Sequence, residues 1–151
     1  MSFDLMVFDA DIAPKDKKGF REWFEQEAGE QGPESSDLPE ICKNDAFRAF
    51  YEQMAEVFTP FNGPDAVHLP ENASQLRILR TGEYSFRRHS AYMCFGWPAQ
   101  DFARAACSTF SKELGLGFYM LSTRYPQVRF PDGTYVYPHG NWKDEELKDT
   151  T

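Results

Sequence analysis

The segment Phe3-Asp4-Leu5-Met6-Val7-Phe8 constrains the fold more than any other part of this 151-residue chain. In an extended strand, successive side chains point to opposite faces. Here residues 3 to 8 alternate around Leu5 and Val7, while Phe3, Met6 and Phe8 make both faces apolar. Such a strand has to be covered on both sides, which places it in the middle of a sheet. The chain has material for that cover, since 41% of its residues are hydrophobic and 16% aromatic, a composition that excludes disorder. Its length fits one domain, with or without a tail, large enough to fold without a metal or disulfide.

The remaining elements follow from periodicity and breakers. Pro14, after Asp11-Ile12-Ala13, is expected to open a helix, and Phe20, Trp23 and Phe24 give it one apolar stripe at i, i+3, i+4. Gly29, Gly32 and Pro33 end it, and residues 31 to 39 read as a loop. A second helix starts at Asn44 or Asp45, either of which can accept from free amides, and buries Phe47, Phe50, Tyr51, Met54 and Phe58. Pro60 and Asn62-Gly63-Pro64 stop it, and residues 61 to 75 read as a long loop. Residues 76 to 97 are read as the main strand region, an antiparallel pair with Tyr84 and Phe86 on one strand and Ala91 to Trp97 on a central one. Pro98 opens a third helix whose stripe is expected at Phe102, Ala106 and Phe110, with Ala103, Cys107 and Leu114 beside them and Gly115 closing it. Gly117 to Leu121 is a further strand. Gln127 to Phe130 and Tyr135 to Tyr137 form a hairpin around Pro131-Asp132-Gly133-Thr134.

The expected class is therefore α+β, in the order β-α-α-β-β-α-β-β, with helices packed on one face of one antiparallel-rich sheet. A β-α-β-β-α-β core of ferredoxin-like type can be drawn through it, with one extra helix and a terminal hairpin. Residues 1 to 137 make the domain, and residues 138 to 151 a polar, acidic tail.

Motifs for chemistry are sparse. Cys42, Cys94 and Cys107 show no metal or redox spacing; Cys94 and Cys107, lying among apolar residues, read as small core residues, and the expected compartment is a reducing cytoplasm. The N-terminus is too short and too acidic for a signal peptide, and no run approaches a membrane span. His68, His89 and His139 have no zinc-type spacing, so neither metal nor cofactor is called for. Gly115 and Gly117 follow a helix instead of leading one, which is a helix stop and not a phosphate loop. There is no nucleophile motif, and no catalytic residue is assigned. Asp4, Asp9 and Asp11 flank the first strand, where acids can serve as general acids or bases, but loop composition explains them more simply.

The charge of -8 argues against nucleic acid and anionic membranes as partners. It is unevenly placed: residues 1 to 71 hold 16 acids and 6 bases, and residues 72 to 151 hold 8 acids and 10 bases. Glu22, Glu25, Glu52 and Glu56 on the two helices could present a negative surface to a basic partner. Arg77, Arg80, Arg87 and Arg88 are expected to cluster around the first strand pair and grip an anion or carboxylates. The plainer reading of both groups is solvated surface charge. Trp142, Tyr135 and Tyr137 could anchor an interface near the end of the chain.

Several short stretches carry a resemblance. The opening Met1-Ser2-Phe3-Asp4-Leu5-Met6-Val7-Phe8, Phe20-x-x-Trp23-Phe24, Asn62-Gly63-Pro64, Tyr84-Ser85-Phe86, Phe95-Gly96-Trp97 and Phe130-Pro131-Asp132-Gly133 together look like a family of small uncharacterised bacterial proteins. That family includes candidate immunity proteins of polymorphic and type VI secretion effector toxins. The likeness covers about residues 1 to 137, and its motifs are structural, so it carries no catalytic residue over. It departs at Glu27-Ala28-Gly29-Glu30-Gln31-Gly32, which is richer in Gly and puts the exit of the first helix in question.

Three functions follow. The first is a cytoplasmic binding protein, and through the resemblance an immunity protein that occludes a cognate secreted toxin. The second is a small-molecule-binding or enzymatic domain with a cleft near Asp9, Arg87 and His89. The third is an oligomerisation module, a homodimer formed through an exposed strand edge.

Overall fold

The computed structural model describes residues 2–30 and 32–138. Its strands are β1 (Phe3–Phe8), β2 (Thr59–Pro60), β3 (Thr81–Arg87), β4 (Ser90–Phe95), β5 (Gly117–Met120), β6 (Gln127–Arg129) and β7 (Tyr135–Val136). Its helices are α1 (Lys17–Ala28), α2 (Ala46–Val57), α3 (Gln75–Leu79) and α4 (Gln100–Glu113), with short 3-10 turns at Pro39–Ile41 and Trp97–Ala99. The strands form one seven-stranded sheet in the order β2-β3-β4-β1-β5-β6-β7. Every pairing is antiparallel except the short β2–β3 pair. The α+β class is as expected, and β1 lies fourth of seven, the central place its two apolar faces demand.

Those faces see different partners. Phe3, Leu5 and Val7 join Met93 and Phe95 of β4, Tyr84 and Phe86 of β3, and Phe118 of β5 against α2 and α4. Met6 and Phe8 join Tyr119, Val128 and Phe130 against α1, whose Phe20 is fully buried. The expectation of helices on one face is thus corrected: α2 and α4 share one face, and α1 lies on the other. The cause is the doubly apolar β1 itself, which leaves a second hydrophobic surface for the α1 stripe to cover. Phe8 lies over Gly117, its direct neighbour across the β1–β5 pair. A Cβ at position 117 would stand 2.2 Å from the Phe8 ring, so only glycine fits.

Three local expectations are also corrected. Pro14 does not open α1; Asp16 does, accepting from the Gly19 amide three residues along, and the helix starts at Lys17. Residues 75 to 79 are helical, with Ser74 capping the Arg77 amide, so the strand region begins at Thr81. On α4 the fully buried stripe is Ala103, Cys107 and Ser111, so the expected flanking residues Ala103 and Cys107 form its centre, while Ala106 and Phe110 are only partly buried beside it. Small residues face the sheet there, while Phe102 is 46% exposed with the Arg80 guanidinium 5.0 Å from its ring centroid. Gly115 does close α4, at a φ of 70°.

The outer edge of β3 is closed by its own chain. The Phe61 amide donates to the Gly82 carbonyl, and the Asn62 side chain both donates to the Tyr84 carbonyl and accepts from its amide. Ser36 exchanges both backbone bonds with Phe86. The Asn62 amide acts as a one-residue strand, and the β3 edge offers no free row for a second copy to pair with.

Candidate functional site

A concave site lies where α1 ends beside the β3–β4 turn. Glu27 sits on the last turn of α1, seven residues after Phe20 and four after Trp23, so it continues the inward-facing stripe. It is 7% exposed. Its Oε1 accepts from the His89 amide at 2.7 Å and from Ser90 Oγ at 3.1 Å. These two bonds tie the helix to the hairpin, and the Asp9 amide adds a third link by donating to the His89 carbonyl at 3.0 Å. Beside them opens a cleft of about 570 Å³, walled by Trp23, Glu27, Glu34, Ile41, Arg88 and His89. Its volume falls in the range of roughly 300–1,000 Å³ usual for small-molecule sites.

Of the trio expected to line a cleft here, His89 alone does so. Asp9 turns its carboxylate to its own loop, accepting from the Asp11 amide. Arg87 donates through Nε to the Pro33 carbonyl at 3.1 Å, and Arg88 takes the place at the cleft. His89 Nδ1 is buried without a hydrogen-bond partner. Behind the turn, the Cys42 thiol donates to the Arg87 carbonyl at 3.0 Å. Burial, and then the nearby Glu27 charge, push that thiol up to about 12, so it stays neutral and is no nucleophile.

A second concavity, of about 640 Å³, runs along α2 beside residues 38–40 and 59–67. Its walls are apolar at Leu38, Pro39, Ala55, Pro60 and Val67 and acidic at Glu40, Glu52, Glu56 and Asp65. Leu38 and Val67 are 43% and 42% exposed, unusual for side chains of this type lying together. Arg48 is the one base in this groove, and both Glu40 and Glu52 already pair with it. Tyr51 donates to Asp65 at 3.1 Å, and burial followed by this bond pushes the phenol up to about 12.

The two predicted charge groups do not assemble as expected. Glu22 and Glu25 lie on the outer surface of α1 among Lys18 and Arg21, on the opposite side of the sheet from Glu52 and Glu56. The four acids therefore make two surfaces. Arg77 and Arg80 belong to α3 and its C-cap, whereas Arg87 is the last residue of β3 and Arg88 follows it. Seven residues of strand, roughly 20 Å at about 3.3 Å each, separate the pairs, so no four-arginine cluster exists. The helix at residues 75 to 79 is what moves the first pair away.

On the sheet surface around β4, Asp4 accepts from Tyr92 Oη and Ser2 Oγ, each at 2.5 Å. Burial first, then Asp4, raises both the Tyr92 phenol and the Cys94 thiol, the latter to about 12. Of the two cysteines expected in the core, Cys107 is fully buried, whereas Cys94 is only partly buried because it points to this polar face of β4. Among the described residues no group of three or more His, Cys, Asp or Glu is placed to hold a metal. None of the described helices is long and apolar enough to cross a membrane. His68 is exposed on its loop, Tyr135 is exposed on β7, Tyr137 accepts from Gln127 Nε2, and His139 and Trp142 lie outside the described residues.

Compared with protein-family models, curated proteins and solved structures, the chain has no match in any of the three. Glu27 is the site residue that sequence reasoning missed. Its signal was a charged residue on the Phe20–Trp23 stripe, where an apolar one would continue the pattern.

Proposed function

We propose that the protein is a cytoplasmic binding protein that neutralises a cognate bacterial toxin by occluding it, as an immunity protein does. One observation carries this reading: the groove along α2 joins exposed apolar residues to four acids, with a single arginine already paired. A partner segment that is apolar at its centre and basic at its edges complements such a groove. The acids would speed encounter with a basic partner, and Leu38 and Val67 would supply area removed from water. Such a mechanism needs no catalytic group. The resemblance of the β1, Phe20–Phe24 and Phe130–Gly133 stretches to candidate immunity proteins supports the same reading. The test is co-purification with the product of the neighbouring toxin gene. A stable complex supports occlusion, and two proteins that elute separately at micromolar concentration refute it.

The finer fold assignment is likewise a proposal. The units β1-α2-β3-β4-α4-β5 make a ferredoxin-like core, supported by the order β3-β4-β1-β5, the antiparallel neighbours and the shared face of α2 and α4. In that reading α1 and the β6–β7 hairpin are additions that cover the opposite face.

A second reading, a small-molecule-binding domain working through the cleft at His89, is favoured by the buried carboxylate of Glu27 on the cleft wall.

A further inference from the structure

We infer that the cleft at the β3–β4 turn recognises a small organic cation, an ammonium or guanidinium on an apolar body, with Glu27 as its counter-ion. The inference rests on the second reading, that the cleft is a small-molecule site. Glu27 is 7% exposed and forms no ion pair with any described residue. A carboxylate this buried is normally paired, because desolvation of an isolated charge costs several kcal/mol or more. Its two hydrogen bonds both fall on Oε1. Oε2 takes no hydrogen bond from the described residues, and Glu27 is among the residues that line the cleft. A cation entering the cleft therefore has the Glu27 carboxylate on its wall.

The rest of the wall suits the same ligand. Trp23 supplies an indole, the aromatic ring that binds cations best. Ile41 and Pro33 supply apolar contact for the ligand body. Glu34 adds a second negative charge at the exposed mouth, and Arg88, also exposed, opposes it. Both rim charges are screened by water, so the buried Glu27 sets the preference.

The experiment is a titration of the full chain followed through its backbone amide resonances, with three probes of one shape: benzylammonium, benzyl alcohol and benzoate. Benzylammonium should shift the amides of Gln26, Glu27, Arg88 and His89 saturably. Benzyl alcohol should bind about tenfold more weakly, the usual worth of one charge-assisted bond, and benzoate weaker still. Glu27→Gln keeps an acceptor for His89 and Ser90 and should abolish the preference for the cation. Glu34→Gln should weaken binding by about twofold, as an exposed charge does. Equal binding of benzylammonium and benzyl alcohol, or undiminished binding by Glu27→Gln, overturns the cation inference and leaves the cleft reading standing. Failure of every probe to shift the cleft at high millimolar concentration overturns both. The probe series on the unaltered chain decides the matter if Glu27→Gln does not fold. A final arm uses lysine and arginine blocked at both ends. Binding tighter than benzylammonium keeps the cation but overturns the small-molecule reading, since the source would be a polypeptide side chain.

Discussion

The two faces of the sheet are built from alternate residues of the same strands, and they differ in how completely they are covered. Beneath α2 and α4 the face is closed: Phe3, Leu5, Val7, Tyr84, Phe86, Met93 and Phe118 all sit at 3% exposure or less. Its one phenol there, Tyr84, donates to the Phe58 carbonyl. Beneath α1 the face is apolar at Met6 and Phe8 of β1 and on β5 and β6, but carries Asp4 at the start of β1 and Glu83, Ser85, Arg87, Tyr92 and Cys94 on β3 and β4. The helix cover gives way to polar surface at that boundary, and Glu27, His89 and the cleft lie there. Complete cover gives stability alone, while partial cover brings a buried charge next to open space. The acidic groove is the counterpart on the closed side: it runs along α2 beside the edge strand β2 and residues 38–40.

This contrast can be broken by substitution. The largest effects should come from the cores. Phe20→Ala and Phe50→Ala, one on each face, should each cost about 3–5 kcal/mol in denaturant unfolding, as buried Phe deletions do. A cost below about 1 kcal/mol for Phe20→Ala would mean that α1 is not part of the folded unit. Gly117→Ala should cost about 1–3 kcal/mol, because its Cβ displaces the Phe8 ring. Glu27→Ala should cost about 2 kcal/mol by leaving the His89 amide and Ser90 hydroxyl without an acceptor, whereas Glu27→Gln should stay within about 1 kcal/mol. Equal losses for the two variants would show that the charge, not the acceptor, holds the hairpin. Glu52→Lys with Glu56→Lys should change stability by no more than about 0.5 kcal/mol.

The last effect is absent at neutral pH. Cys42 and Cys94 have folded-state pKa values raised to about 12 from an ordinary value near 9. Between those values the unfolded chain loses thiol protons that the folded chain keeps, so stability should fall as pH rises through that window. The same thiols should resist alkylation at pH 8 in the folded protein. Rapid labelling of Cys42 in the native state would contradict its burial.

Much of this architecture was legible in the sequence, for identifiable reasons. The doubly apolar β1, the Phe47–Met54 face of α2 and the positive φ at Gly115 follow from periodicity and backbone sterics, which act locally. The second helical layer was implied by β1 but not drawn, because periodicity says that a face is covered and not by which helix. The α4 face was legible at Ala103 and Cys107, but its centre was set one position off, on Phe102, because large aromatics carry more apolar weight, while close packing favours the small Ala103, Cys107 and Ser111. The arginine cluster failed because five helical residues at positions 75 to 79 redirected the chain. His89 was legible as a turn residue near a cleft, but Glu27 was not, since its role depends on the hairpin brought to it from 62 positions along the chain.

The central claim is that the α2 groove is the surface that occludes a toxin, and calorimetric titration of the neighbouring gene's product tests it most directly. The unaltered protein should bind, and the Glu52→Lys, Glu56→Lys double variant should bind at least about tenfold more weakly, through loss of complementary charge, while unfolding at the same denaturant concentration. Binding of equal strength by both proteins, or by neither, would contradict the assignment.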